Sequence, residues 1–505
     1  MSKEELLMAI DVGTGGGRAV VFNARGETKA RAYRAWGYTA PAGMEVLCQE
    51  FEPLHFWKLI CECAREVLSK VEPKQVRAVS STAMRQGCAF LDEKGNHLYA
   101  GPNRDVRGIL FALEVEEQMG EERAYNITGR WPPWMFLPSR LRWFKEEKPE
   151  VFEKISKVLM LNDWILYMLS GESVGEPSNA CETMVYDLKT RTWSKELLEL
   201  IGLSEKALPR LAKTGEVAGK VTAKAAKETG LCQGTAVVVG GADSQAALVA
   251  CGMSRPRQLG LVAGTTLPVM LSLGELFLDP EHKLWAHCHM FDDLYILESQ
   301  SGDAGKIFRG YVEGHFGHGI RDTDKKYEEL VKLAEAIPPG SAGARAFLGT
   351  MVWDMSKMNP NRPAAILFPF PPEENTAGPG NAGRAILESV AFGARANLAQ
   401  IEDKSGEKPD EVLLCGGMTR VDLFNKIMAS VLKKPVKVSA CKEASALGVA
   451  MAAAVGAGIY PDLRTASREM AGVNLEVAPE PDWVEEYDSS YDIWLENYNK
   501  FQDEW

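Results

Sequence analysis

The chain has 505 residues, too many for one ordinary core, so two domains are expected. Its 57 Lys and Arg against 69 Asp and Glu leave a net charge of −12, which argues against a broad nucleic-acid or anionic-membrane surface but not against a local basic pocket. With 46% apolar and 25% charged residues, it reads as a folded globular chain rather than a disordered or fibrous one.

The first residues carry Lys3, Glu4 and Glu5 and then enter a strand-like run, with no signal-peptide core. Leu6 to Ile10 is apolar and meets a glycine-rich turn at Asp11. Arg18–Asn23 resumes a strand, Ala24–Glu27 turns, and Thr28–Ala35 forms a third strand. Glu52–Ser69 has apolar residues at helical spacing, and Val76–Ser80 is a short apolar strand, which predicts a β-β-β-α-β order.

A similar order returns downstream. Ala236–Gly240 reads as a strand and Ser244–Cys251 as a helix. Gln258–Ala263 and Leu267–Leu273 flank a second turn, Gly264-Thr265-Thr266. Val412–Cys415 runs into Gly416-Gly417, followed by a helix over Val421–Leu432 and a strand over Val436–Ser439. This repetition predicts a duplicated α/β architecture joined near Asp243. The longest apolar run, Ala446–Tyr460, spans 15 residues, short for a membrane and suited to a buried helix. Pro479–Trp505, rich in Trp, Tyr and acids, reads as a terminal amphipathic helix. The ten cysteines form no Cys-x-x-Cys pair, as expected of reduced thiols. His287-Cys288-His289 lacks a second ligand pair, so it reads as a strand or loop with incidental ligands.

Four segments carry chemistry. In Asp11-Val12-Gly13-Thr14-Gly15-Gly16-Gly17-Arg18, glycines let backbone amides approach phosphate oxygens. Thr14 adds a hydroxyl, Arg18 a charged donor, and Asp11 a carboxylate suited to Mg2+. The same segment is also compatible with a tight hairpin and a solvated Asp. It is neither a Walker A loop nor a dinucleotide fingerprint, because the Gly-Lys-Ser/Thr and the helix start are missing. In Gly240-Gly241-Ala242-Asp243-Ser244-Gln245, a carboxylate follows two glycines at a strand end. From the residues alone, Asp243 is equally a general base for a hydroxyl or a helix N-cap. Gly264-Thr265-Thr266 repeats the first tip. Leu414-Cys415-Gly416-Gly417-Met418 offers bare backbone on which a flat base or ribose can lie.

Taken in order and at these separations, the four segments resemble the FGGY carbohydrate kinases. Ser80–Gly87 is similar to the family's first sugar-contacting loop, and Asn103–Arg107 to its x-Asp-x-Arg segment. Thr128-Gly129 through Pro138, Leu141 and Trp143 follows the stretch that places aromatic residues near the sugar. Asp163 with Gly171-Glu172, and Tyr186–Trp193, resemble the xylulokinase branch. Glu443–Gly458 resembles the closing helix of the nucleotide domain, so the likeness spans roughly residues 6–460. In one region the pattern departs: Pro369–Gly380 runs almost directly into Arg384-Ala385-Ile386-Leu387-Glu388. Asp354–Pro363, Pro372–Asn375 and the loop around Arg85 look more like the autoinducer-2 kinase branch.

The resemblance implies an α/β fold of two duplicated actin-like (ribonuclease H-like) domains around a deep cleft. Residues 1–245 would bind the sugar and residues 246–505 the nucleotide. The implied activity is ATP-dependent phosphorylation of a hydroxyl on a small sugar or polyol, with Asp243 as base and Mg2+ at Asp11 and Asp243. Gly13, Thr14, Arg18, Gly264 and Thr265 would hold phosphates, while Gly305, Gly416 and Gly417 face the nucleotide. Met84, Arg85, Gln86, Asp105 and Asp243 would contact the substrate; Arg85 and Asp105 also read as an internal ion pair, and Trp131 and Trp134 as either sugar platforms or core. A cytoplasmic enzyme is implied, with a homodimer allowed and neither nucleic-acid nor membrane partners. The competing classes are an actin-like ATPase switch and a catalytically silent sugar sensor. The sugar-loop residues Met84–Gly87 and Asp105 disfavour the first; retention of Asp11, Thr14 and Asp243 disfavours the second.

Overall fold

In the computed structural model, residues 4–354, 364–472 and 475–504 are described. In chain order, β1 (Leu6–Gly13), β2 (Gly16–Asn23) and β3 (Thr28–Ala35) are followed by α1 (Pro53–Leu68) and β4 (Val76–Ala83). Then come β5 (Val217–Lys220), β6 (Ala236–Val238), α2 (Asp243–Ala250), β7 (Gln258–Val262), β8 (Thr266–Leu273), β9 (Trp285–Cys288) and β10 (Tyr295–Asp303). The remainder includes α3 (Gly305–Gly314), α4 (Pro379–Ser405), β11 (Glu411–Cys415), α5 (Asp422–Leu432), β12 (Val436–Val438), α6 (Ala444–Gly456), β13 (Leu475–Val477) and α7 (Pro481–Glu504). The Asp354–Pro363 stretch singled out above lies, from residue 355 on, outside the described residues.

The chain divides into two compact units. The first comprises Met1–Ser254, Gly274–Ile296 and Glu443–Gly472; the second comprises Arg255–Leu273, Leu297–Lys442 and Val473–Trp505.

In the first unit, one sheet runs β5-β6-β4-β1-β2-β3. β1 is parallel to β4, and β4 to β6; the β1–β2 and β2–β3 pairs are antiparallel. β1 is buried along almost its whole length, as a central strand covered on both faces must be, and it accordingly reads as a continuous apolar run. β3 at the edge alternates between exposed and buried positions from Lys29 to Tyr33, the period-2 pattern of a half-solvated strand. α1 begins with Pro53 at its first position, and Glu52 accepts from the Leu54 and His55 amides, so two orphan donors are satisfied. It packs its buried face, including Phe56, Trp57, Ile60 and Val67, against β2 and β3. α6 belongs to this unit rather than to the second: it packs on β1, β4 and α2. Its contact with α2 requires glycine, because a Cβ on Gly448 would lie 1.9 Å from Ala246 O.

In the second unit the strands follow the order β10-β8-β7-β11-β12-β13. β7–β8 is antiparallel, while β7–β11 and β11–β12 are parallel. The hairpin, the two parallel neighbours and the antiparallel closing strand repeat the first sheet, so the duplication read from the sequence is present. α4 is buried around most of its circumference over 379–401, and its Arg384–Glu388 pair at 2.9 Å is sealed inside with the Tyr487 hydroxyl. Among the described residues, no helix is long and apolar enough to cross a membrane, and no group of three His, Cys, Asp or Glu is placed to hold a metal. None of the ten cysteines is in a disulfide.

Candidate active site

Parallel pairing of β1, β4 and β6 brings their carboxyl ends to one edge of the first sheet, where open α/β sheets present ligand-binding loops. Asp11, near the end of β1, pairs in register with Thr82 of β4 and Arg18 of β2. Thr82 Oγ1 donates to Gly241 O at 2.8 Å, tying the β4 end to the turn that precedes α2. Between β1 and β2 the tip is pinned from one side: the Tyr38 hydroxyl donates to Thr14 O, and the Tyr33 hydroxyl to Gly15 O at 3.0 Å. Gly13 and Thr14 are half-buried and Gly15 is exposed, so the tip remains accessible.

Arg18 sits between two acids. Its Nε lies 3.5 Å from Asp11 Oδ2, and its Nη1 donates to Glu443 Oε2 at 2.7 Å. Glu443 Oε1 also accepts from Arg31 Nη1 at 2.9 Å. Burial pushes the Asp11 carboxyl upward, Arg18 opposes this, and Glu443 adds to it. Glu443 carried no site role in the sequence analysis, because 425 residues separate it from Arg18.

Asp243 is the first residue of α2, and Ala242 is the N-cap with no side-chain capping bond. The cap reading therefore does not describe this carboxylate. Its Oδ1 accepts from the Ser244 amide at 2.7 Å and the Ser244 hydroxyl at 3.3 Å, and the residue is only half-buried. Burial raises the carboxyl to about 6; Arg85 pulls it down, while Asp11 and Glu182 push it up. A carboxylate poised near neutrality beside a guanidinium has the properties of a general base for a hydroxyl.

The loop after β4 places Met84, Arg85 and Gln86. Met84 is buried, and its amide donates to Val12 O at 2.8 Å, fixing the loop to β1. Arg85 Nη1 lies 3.6 Å from Glu182 Oε1, with 10% of its side chain exposed. Gln86, in the left-handed region at φ 57°, donates through Nε2 to Glu182 Oε2. Arg85 and Asp105, expected together, have different partners. Asp105 is buried, and both its oxygens accept from Arg107 Nε, at 2.9 and 2.8 Å; the Tyr99 hydroxyl also donates to it. Arg140 joins the two regions through backbone, donating to Gln86 O at 3.0 Å and Asp105 O at 3.0 Å. Trp131 and Trp134 are half-buried, and Trp131 O accepts from Trp285 Nε1 at 3.0 Å.

In the second unit the remaining candidates converge. The β7 and β11 ends are paired, with the Ala263 amide donating to Cys415 O at 2.7 Å. The Ala304 and Gly305 amides donate to Thr265 O and Gly264 O, both at 2.9 Å, so the β7–β8 tip caps the start of α3. A Cβ on Gly305 would lie 2.5 Å from Gly264 O. Gly416 is at φ 102°, where a Cβ would lie 2.5 Å from Ala263 O, while Gly417 faces open space. Backbone contacts thus join Thr265, Gly264 and Gly305, and Gly416 meets Ala263 beside them.

The model of the FGGY family of carbohydrate kinases, N-terminal domain, matches residues 6–250, and that of the C-terminal domain matches residues 259–457. The chain is 31% identical to the autoinducer-2 kinases of Escherichia coli (strain K12) and Salmonella typhimurium, covering 97% of this chain and 94% of each relative. Its structure is similar to the ligand-bound xylulose kinase of Lactobacillus acidophilus, with a TM-score of 0.86, 18% identity and 99% of both chains covered. It is also similar to Plasmodium falciparum glycerol kinase with ADP, with a TM-score of 0.82, 16% identity and 98% of both chains covered. These two structures carry the fold, the duplicated actin-like α/β architecture expected from the sequence.

Proposed function

We propose, from the premise that this chain belongs to the FGGY family of carbohydrate kinases and phosphorylates a small sugar or polyol with ATP, that Asp243 is the base and autoinducer-2 the acceptor. Xylulose is the second acceptor reading, favoured by the similarity to solved xylulose kinases. The observation that carries the assignment is the half-buried Asp243 carboxylate, raised to about 6 and set beside Arg85 at the first turn of α2.

In this reading Asp243 removes the proton of the attacking hydroxyl, and Arg85 and Gln86 donate to acceptor oxygens. Asp105 orders the loop from behind through Arg107. Phosphoryl transfer rests on positioning and charge neutralisation more than on covalent chemistry. Gly13, Thr14, Arg18, Gly264 and Thr265 hold phosphate oxygens, and Gly305, Gly416 and Gly417 receive the nucleoside. Two carboxylates, Asp11 and Asp243, fit Mg2+, which takes one or two from a protein when phosphates and water fill its other positions. Bound there, Mg2+ supplies charge neutralisation at the phosphates.

ADP release is measured with autoinducer-2, xylulose, xylitol and glycerol, for the wild type and Asp243→Asn. The expected result is acceptor-stimulated release that the substitution lowers by on the order of 10²-fold or more, with ATP binding retained. A variant working near the wild-type rate removes the base assignment. ATP hydrolysis indifferent to every acceptor points instead to a switch ATPase, and nucleotide binding without turnover to a silent sensor.

A further inference from the structure

The tip between β1 and β2 has its acceptors taken and its donors free. Thr14 O accepts from the Tyr38 hydroxyl, and Gly15 O accepts from the Tyr33 hydroxyl at 3.0 Å and from the Trp36 amide at 3.4 Å. Among the described residues, nothing accepts from the Thr14 amide, the Thr14 hydroxyl or the Gly15 amide. Thr14 is half-buried and Gly15 exposed. A trans peptide sets its C=O and N–H on opposite sides of the chain. Thr14 O, directed at Tyr38, therefore directs the Gly15 N–H of the same peptide the other way.

The segment that carries these hydroxyls stands on packed core. The Trp36 ring centre lies 4.2 Å from that of Phe56 and 6.0 Å from that of Phe51, and the Tyr38 ring centre lies 5.0 Å from that of Phe51. Phe51 and Phe56 are buried, and Phe56 belongs to α1. Toward the tip, a Cβ on Gly17 would lie 2.5 Å from the Trp36 ring, and one on Gly16 would meet the Tyr33 hydroxyl. Bare backbone is what lets the rings come this close. The tip peptide has no such anchor of its own, because Gly15 lacks a side chain to resist rotation. Rotated, that peptide would offer a carbonyl oxygen in place of an amide, and a carbonyl oxygen repels phosphate oxygens where an amide attracts them.

We propose that Tyr38 and Tyr33, which no motif singled out, are positioning residues for the nucleotide phosphates: their hydroxyls hold the two tip carbonyls aside, so that the tip meets phosphate oxygens with donors alone. The proposal rests on the reading of this tip as a phosphate holder given above. Tyr38 carries the larger share, because its hydroxyl is the sole partner of Thr14 O among the described residues. Gly15 O keeps the Trp36 amide when the Tyr33 hydroxyl is lost. The Tyr33 ring also lies under Arg18, with the guanidinium 5.9 Å from its centre, and Tyr33→Phe keeps that contact while removing the hydroxyl.

The test measures binding of ATP and of adenosine, which has no phosphate, to the full-length enzyme by titration calorimetry with Mg2+ present. Tyr38→Phe is expected to weaken ATP binding about five- to tenfold and Tyr33→Phe about two- to fivefold, the scale of one hydrogen bond, with adenosine binding unchanged in both. Tyr460→Phe is the matched control: its hydroxyl donates to Ala24 O at 2.7 Å, and its loss should change neither ligand. Wild-type ATP affinity in Tyr38→Phe removes the proposal. Equal losses for ATP and adenosine also remove it, since the hydroxyl then only supports the fold. Tyr33 is 51% exposed, so where Tyr38→Phe fails to fold the same comparison on Tyr33→Phe decides. Thr14→Val and Arg18→Gln probe the phosphate reading itself. Unchanged ATP binding in both removes that reading and this proposal together, whereas a loss there with none in the tyrosine variants removes this proposal alone.

Discussion

The Ala242 amide donates to Ser178 Oγ at 3.0 Å, and that hydroxyl donates in turn to Glu176 Oε2. The turn carrying the proposed base is thereby tied to a buried carboxyl group. Glu176 also accepts from Thr214 Oγ1 at 3.2 Å and caps the short helix Pro177–Ala180. Burial brings its carboxyl to about 7, with the Ser178 and Thr214 hydroxyls opposing; Asp163 beside it is pushed well above the carboxylate range by burial and by Glu176. Ser178→Ala removes this tie without altering any group proposed to touch substrate. Losing one buried hydrogen bond is worth about 1 kcal/mol, and kcat is expected to fall about five- to tenfold while the ATP KM holds steady. Steady-state kinetics at saturating acceptor decides it: a lowered melting temperature with unchanged kcat would give Ser178 a structural role only.

The pH profile follows from Asp243. A base must be ionised to take a proton, and its carboxyl titrates near 6. kcat/KM is therefore expected to be level above pH 7, half-lost near pH 6 and to decline about tenfold per unit below pH 5. The residual activity of Asp243→Asn should lack this limb. A wild-type profile level down to pH 4.5 contradicts the assignment.

The same shift has an opposite consequence for stability. Asp243 ionises near 3.8 when unfolded and near 6 when folded, so between these values the folded state binds more protons. Stability then falls as pH rises from about 4 to about 6, and the full cost, at most about 3 kcal/mol, is present above pH 6. Asp243→Asn should melt at a higher temperature than wild type at pH 8, with the difference disappearing toward pH 4. Thermal unfolding at the two pH values provides the comparison, and equal melting at pH 8 would show that the carboxylate carries no such cost.

Helix packing behind the base gives a steric prediction. A methyl group on Gly448 would meet the Ala246 carbonyl at 1.9 Å, and backbone there has no rotamer to change. Gly448→Ala should force α6 and α2 apart, at a cost of about 1–3 kcal/mol. It should also reduce kcat, since α2 begins with Asp243. Gly37→Ala, at a site with open space around the added atom, is the control and should leave both stability and turnover unchanged. Equal behaviour of the two variants would refute the packing argument.

Local sequence was most informative where structure depends on neighbours in the chain. β3 spans the residues expected, because Thr28–Ala35 alternates between turn signals. α2 begins one residue earlier than its pattern suggested, at Asp243, and that residue decides whether the carboxylate caps a helix or faces outward. Partnerships formed by folding were not legible. Arg85 and Asp105 are close in sequence, yet Arg85 pairs with Glu182 and Asp105 with Arg107. Glu182 lies in Cys181-Glu182-Thr183, which has no period or motif, and its ion-pair partner Arg130 is 52 residues away. Glu443 showed only as the start of an apolar helix, and its bonds to Arg18 and Arg31 exist only because α6 crosses back to β1.

That return of α6 bears on how the protein is made. A ribosome releases the β1–β4 sheet long before Glu443–Gly472 has been synthesised, so the apolar face that α6 covers stays bare while about 360 further residues emerge. The N-terminal portion is thus a late-finishing structure despite being translated first, and a fragment ending near residue 254 would lack the cover for its own central strands. Nascent chains of this protein should call on chaperones early and release them only once Glu443–Gly472 has emerged.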